Sequence, residues 1–254
     1  MKPNAGHAIT TLTRIQTLCG SDILAYWVLP NVILTLSGAR AYCDGIFWSN
    51  NQKILSEWNK DISRSLDVLK SCTSVLIAKS GIQSVRNDET YASYDLIFKE
   101  GLDFVLSKTN LINKEQLDLS DPRITSTQLQ QQFKIILSKN KKLKGFNEED
   151  IDHIYFGILL GYPDEAITES VHLWSNQDPF AEKLIDADIK GAGYYINPQP
   201  VYSYPRKLIN NPKINVNERL WSKILDDYYH SDFHKALEKD VGFQEKMKEL
   251  GNLW

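Results

Sequence analysis

Apolar residues recur at steps of three and four along most of this chain, the spacing of helices that bury one face. From about Asn51 to Lys79 the stripe is Leu55, Trp58, Ile62, Leu66, Leu69, Cys72 and Leu76, while Lys60, Asp61, Arg64, Asp67 and Lys70 occupy the other faces. One long amphipathic helix is predicted there. A second is predicted from about Asp88 to Ser107, with Tyr91, Tyr94, Phe98, Leu102 and Val105 as its stripe and Asn87 or Asp88 as its cap.

Helix starts and stops are better specified further on. Thr125-Ser-Thr-Gln128 reads as a capping box with Ile124 and Leu129 as the apolar staple around it. Lys139, Lys141, Lys142 and Lys144 sit where a helix C-terminus favours cations, and Gly145 is placed to close that helix in the left-handed conformation. Phe146-Asn147 followed by Glu148, Glu149, Asp150 and Ile151 opens another helix, which becomes apolar nearly all round between Ile154 and Leu160 and is expected to be central. Gly157 admits a close neighbour, Gly161 ends the helix, and Pro163 with Asp164 and Glu165 begins the next. The run Phe156-Gly-Ile-Leu-Leu-Gly-Tyr-Pro163 has the compactness of a motif, but no activity attaches to it.

The helical pattern breaks between Ser175 and Asn215, where Gly, Pro and Tyr take over. Asp186–Gly191 and Val201–Tyr204 suit short strands or extended arms, and Pro198, Pro200, Pro205 and Pro212 exclude a central strand. Helices resume near Asn215-x-x-Glu218 and continue toward Gly251. Between Trp221 and Leu237 the buried stripe reverses, which implies a break near His230 with Ser231 as the next N-cap. Earlier, Ile23–Ser37 is apolar enough to suggest a signal peptide or membrane span. Asp22 at its edge and the Pro30-Asn31 interruption favour instead a buried core helix kinked or divided at Pro30.

The predicted fold is therefore mainly α, a multi-helix bundle with an irregular or slightly β insertion at about 175–215. Residues 1–174 would supply the helical core, and 216–254 would add helices packing on it as one domain. With 254 residues, 42% hydrophobic and 24% charged, the chain can bury a sizeable core. Its formal net charge of -3 argues against a protein devoted to gripping nucleic acid. Cys19, Cys43 and Cys72 are odd in number and widely spaced, which fits a reducing, cytoplasmic compartment, with export without a cleavable signal still compatible. Richness in Asn, Lys and Ile points to an AT-rich bacterial genome.

Tempting sites thin out on inspection. Asp226, His230, His234 and Glu238 step by four and would ladder zinc or iron ligands on one helix, but the break at His230 dismantles the ladder, and no metal or cofactor is predicted. A thiol nucleophile could pair Cys19 or Cys43, each placed for an accessible helix boundary, with His153 or His172. Cys72 on a stripe would be inert. The lysines at 139–144 could meet an anionic lipid or nucleic acid, yet a solvated helix end explains them. Glycine-rich phosphate loops, HExxH and GxSxG do not occur, and the acid pairs Asp226-Asp227, Glu148-Glu149 and Asp186/Asp188 look solvated.

What remains is Tyr194, Tyr195, Tyr202, Tyr204 and Arg206, residue types enriched at interface hot spots, on a proline-restricted segment. The simplest structural reading folds this segment over the helices as a covering arm. The functional expectation is a soluble protein-interaction or regulatory module, of bacterial-effector kind, that presents these residues to a protein partner or small ligand. The alternative is a hydrolase or transferase with a Cys/His or carboxylate cleft, and neither nucleic acid nor membrane is an expected partner.

Overall fold

A computed structural model describes residues 2–49, 51–71, 75–84, 90–121, 124–174, 180–184, 201–205, 208 and 210–251. The chain is mainly helical with a small antiparallel sheet. In order come α1 (Ala5–Cys19), a 3-10 turn (Asp22–Tyr26), α2 (Pro30–Leu36), β1 (Tyr42–Trp48), α3 (Gln52–Lys70), β2 (Val75–Ser84), β3 (Thr90–Phe98) and α4 (Lys99–Leu106). After them follow α5 (Ser126–Ser138), α6 (Glu148–Leu159), α7 (Asp164–Trp174), β4 (Phe180–Leu184), β5 (Val201–Pro205), α8 (Pro212–Tyr229), α9 (Asp232–Leu237) and α10 (Val241–Gly251). Among the described residues no helix is long and apolar enough to cross a membrane.

The apolar run at Ile23–Ser37 is divided at Pro30, as its residues suggest. Ile23 to Tyr26 lie in the 3-10 turn and Pro30 occupies the first turn of α2, where its missing N–H costs nothing. Both pieces are buried in the core. The capping boxes at Thr125/Gln128 and Asn147/Asp150 are formed, and Ser231 caps α9 by accepting from His234 N.

Two predicted helices are corrected. The 51–79 helix stops at Lys70, and Val75–Ser84 forms β2, whose backbone groups pair with β3. Within the predicted 88–107 helix, Thr90–Phe98 is a strand and the helix is Lys99–Leu106. Tyr94 and Phe98 are four apart, a spacing common to helical and alternating patterns, so the stripe alone could not separate them. Burial in β3 alternates from Thr90, with Ala92, Tyr94 and Leu96 inward, and strand-favouring Thr, Tyr and Ile residues fit that ladder. β3 lies between β1 and β2, both antiparallel to it.

Smaller boundaries move as well. α5 ends at Ser138, before the lysines, because Asn140 opens a separate 3-10 turn at Lys141–Leu143; Gly145 closes that connection with φ +104°. From Ile154 on, α6 is apolar but not buried all round, since Phe156 keeps 40% of its surface exposed. Asn211 and Pro212, not Asn215, begin α8: the Asn211 side chain accepts from Lys213 N and Pro212 fits the first turn. In the 175–215 segment, Val201–Pro205 pairs with Phe180–Leu184 as a two-stranded ladder, and the partner predicted at Asp186–Gly191 falls outside the described residues.

Buried side chains form two clusters. The first joins α1, α2, α3 and the inner sheet face to α8, α9 and α10 through Leu12, Trp27, Trp58, Tyr94, Trp221 and Phe243. In the second, α4 to α7 close over Ile77 and Ile97 from the other sheet face. Tyr162 packs against both clusters.

Candidate functional site

At this seam the α6–α7 turn meets α8. Leu160 caps α6, then Gly161 takes φ +76° while its N–H donates to Ile158 O (2.9 Å) and Tyr162 N–H donates to Gly157 O (3.0 Å). That paired closure needs a residue tolerant of the left-handed region, which explains glycine there. A side chain on Gly161 would also press on Ala39 O at 3.1 Å. Gly157 serves the same junction by leaving room for Ile167 of α7, whose side chain would lie 2.9 Å from an added Cβ.

Three segments converge here around a cleft of about 370 Å³: Lys108 and Asn110 beyond α4, Gly161 to Glu165 at the α7 start, and Pro212, Lys213, Val216 and Asn217 on α8. Hydrogen bonds fix its walls. Asp164 accepts from Thr109 Oγ1 (2.5 Å) and Asn110 N (2.8 Å), tying the loop after α4 to α7. Asn217, only 4% exposed, donates from Nδ2 to Gly161 O at 2.9 Å. Lys213 bridges to Glu165 Oε1 at 2.5 Å. Behind them Trp221 lies 5.9 Å from the Tyr162 ring and carries the Arg40 guanidinium 4.0 Å above its own ring.

The charges of the cleft are not equivalent. Donation from Lys213 holds the Glu165 carboxyl below its usual range, and Glu165 raises Lys213 in return. Lys108 is exposed as a whole residue, but its ammonium leans over the Phe104 ring at 4.1 Å and reaches Asn217 Oδ1 only at 3.5 Å. Desolvation lowers its pKa from the ordinary lysine value. An ammonium with one long hydrogen bond and a cation–π contact retains donor capacity toward a ligand. Tyr162, Pro163, Pro212 and Val216 supply apolar surface beside it. Such a cleft can seat a small molecule by one charged anchor and an apolar wall.

The residues singled out by sequence lie elsewhere. Tyr194, Tyr195 and Arg206 fall outside the described residues. Tyr202 and Tyr204 lie on β5, in register with Lys183 and Ala181, and their side chains are outside the described set. The backbone of β5 runs beside α7.

The thiol proposal is corrected by burial. Cys19 does end a helix, α1, but is only 8% exposed, and Cys43, 1% exposed, faces the core from β1. Burial pushes both thiols up, Cys43 to about 12, the opposite of what a thiolate nucleophile requires. Cys72 lies outside the described residues, as does the side chain of His172. His153 is half-buried on α6.

The break at His230 is present, with α8 ending at Tyr229 and α9 starting at Asp232. His230 remains exposed, its Nδ1 2.9 Å from Asp226 O, whereas His234 is buried between the rings of Tyr228 and Tyr229. The two imidazoles therefore occupy different environments on different helices.

Sequence reasoning missed Lys108 and Asn217. The usable signal was Gly161-Tyr-Pro163, a tight turn between two well-specified helices. Lys108 carries no local pattern, and only the fold brings it to Asn217. Comparison of the chain with family models, curated proteins and solved structures finds no match.

Proposed function

We propose that the protein is a binding or regulatory module whose small-molecule site is the cleft between Lys108, the Gly161–Glu165 turn and the first turns of α8. The carrying observation is the Lys108 ammonium, desolvated beside an apolar wall while Lys213 is engaged by Glu165. The walls are preorganised by Asp164 and Asn217, so little ordering opposes a ligand. The Tyr and Arg segment completes the reading as the output surface for a protein partner. Support for that link comes from β5, which carries Tyr202 and Tyr204 beside α7, the helix whose first turn lines the cleft. The buried, raised thiols of Cys19 and Cys43 favour this reading over a cysteine hydrolase or transferase.

The test is a Val216→Trp variant, since Val216 lines the cleft and is 56% exposed, so a larger ring can enter without disturbing the core. Small acids, amides and amines are screened by melting temperature against both proteins. Compounds that stabilise the wild type should lose their effect on Val216→Trp while its unliganded melting temperature stays within a few degrees. Equal stabilisation of both proteins would contradict the cleft as the site.

A further inference from the structure

We infer that the ligand of this cleft is a small monocarboxylate with an apolar body, its carboxylate seated on the Lys108 ammonium and its body laid against Tyr162, Pro163, Pro212 and Val216. The inference rests on the cleft reading above and adds the chemistry of the occupant. Four charged side chains line the cleft, Lys108, Asp164, Glu165 and Lys213. Asp164 accepts from a hydroxyl and an amide N–H that tie it to the loop after α4, and Glu165 is paired with Lys213. Among the described residues, Lys108 has no carboxylate partner: its contacts are the Phe104 ring and the long bond to Asn217 Oδ1. Lys108 is thus the cation of the cleft that is left without a carboxylate among the described residues.

A second negative charge is disfavoured. A phosphate monoester would bring a dianion into a site that already holds two carboxylates, with one uncommitted ammonium to receive it. An amine would place like charge against Lys108 while the carboxylates are already engaged. The Asn217 amide is committed in orientation by its Nδ2 bond to Gly161 O, so Oδ1 faces the Lys108 ammonium and holds it in place rather than competing for the anion. Two proline rings and the Tyr162 ring offer flat, weakly hydrated surface suited to an aryl or alkyl body. A volume of about 370 Å³ accommodates a single-ring acid and excludes large polymers.

The experiment is calorimetric titration of the intact protein with hydrocinnamate, hydrocinnamamide, phenylpropylamine and phenethyl phosphate. It is run on the wild type, Lys108→Met, Lys108→Gln, Lys213→Met and Val216→Trp, each first checked for an unchanged melting curve. Hydrocinnamate should bind the wild type, and its affinity should fall at least about 10-fold in both Lys108 variants and about as far when the amide replaces the acid. Lys213→Met should change it less than about threefold, because that charge is already used by Glu165. Phenethyl phosphate should bind more weakly than hydrocinnamate. Failure of hydrocinnamate to bind, equal binding of acid and amide, or wild-type affinity in the Lys108 variants would overturn the carboxylate assignment. If the amide or the phosphate binds the wild type as the better ligand and Val216→Trp abolishes it, the cleft stands and only the ligand class is wrong. If hydrocinnamate binds Val216→Trp unchanged, the cleft reading falls with it.

Discussion

The two hydrophobic clusters are held together by different means. Six of the largest fully buried side chains, Trp27, Trp58, Trp221, Tyr26, Tyr94 and Tyr228, belong to the first cluster, and the polar tips of Trp27, Trp58 and Tyr94 and of neighbouring Tyr229 bind elements far away in sequence. Trp27 Nε1 donates to Ser65 Oγ at 2.9 Å, Trp58 Nε1 to Glu249 Oε1 at 2.9 Å, and Tyr229 OH to Val28 O at 3.2 Å. The second cluster is mostly Leu and Ile, and its helices are fixed locally by capping boxes and by short-range bonds such as Gln130 Nε2 to Asp152 Oδ1 at 2.8 Å. The cleft draws one wall from each, α8 from the aromatic side and the α6–α7 turn from the aliphatic side. A site at such a junction has its geometry set by a few cross-links, chiefly Asn217 to Gly161.

The largest expected effect tests the aromatic side. Trp58→Ala removes a ring that is 1% exposed together with its bond to Glu249, so it should cost about 3–5 kcal/mol. Denaturant unfolding of the variant measures this. A loss near that of a surface substitution would mean the first cluster does not depend on its long-range aromatic links.

Acid should act on the same cluster next most strongly. Burial lowers His234 from 6.5 to about 4 in the folded protein, and the Glu238 carboxylate 3.7 Å away does not outweigh it. As pH falls through 6.5 the unfolded chain takes up a proton that the folded chain refuses. The stabilisation is therefore complete above that value, shrinks between 6.5 and about 4, and falls no further below it. Its size is about 3 kcal/mol, and His234→Leu should flatten that part of the stability-against-pH curve relative to wild type. Parallel curves for the two proteins would contradict the assignment.

At the seam, Asn217→Ala should lower stability by about 1–3 kcal/mol, because Gly161 O loses its side-chain donor in a water-poor site. It should weaken hydrocinnamate binding as well, since it frees both the turn and Lys108. The smallest effect belongs to the aliphatic side. Thr125→Ala removes one half of a capping box and should cost about 1 kcal/mol by denaturant unfolding, with no change in ligand affinity. Loss of binding in that variant would mean the second cluster transmits strain to the cleft.

The same division governs what could be read from residues alone. The aliphatic side is specified by short signals, Thr125 to Gln128, Asn147 to Asp150, Gly161 before Pro163, and these are present as the sequence implies. The β1–β3–β2 sheet was concealed because its register depends on partners far apart in the chain, such as Tyr42 with Ile97. Tyr94 and Phe98 fit a helix as well as a strand until those partners are known. The reversal at His230 was legible, since one helix cannot bury opposite stripes. Lys108 was not, because its ammonium is placed by contacts with Phe104 and with Asn217, which lies 109 residues away.

The most direct measurement is amide chemical-shift mapping of the intact protein on titration with hydrocinnamate. The changes should centre on Lys108, Asn110, Gly161 to Glu165 and Lys213 to Asn217, and should vanish in Lys108→Met. Shifts confined to other parts of the chain, or an unchanged pattern in Lys108→Met, would contradict a carboxylate held by Lys108 in this cleft.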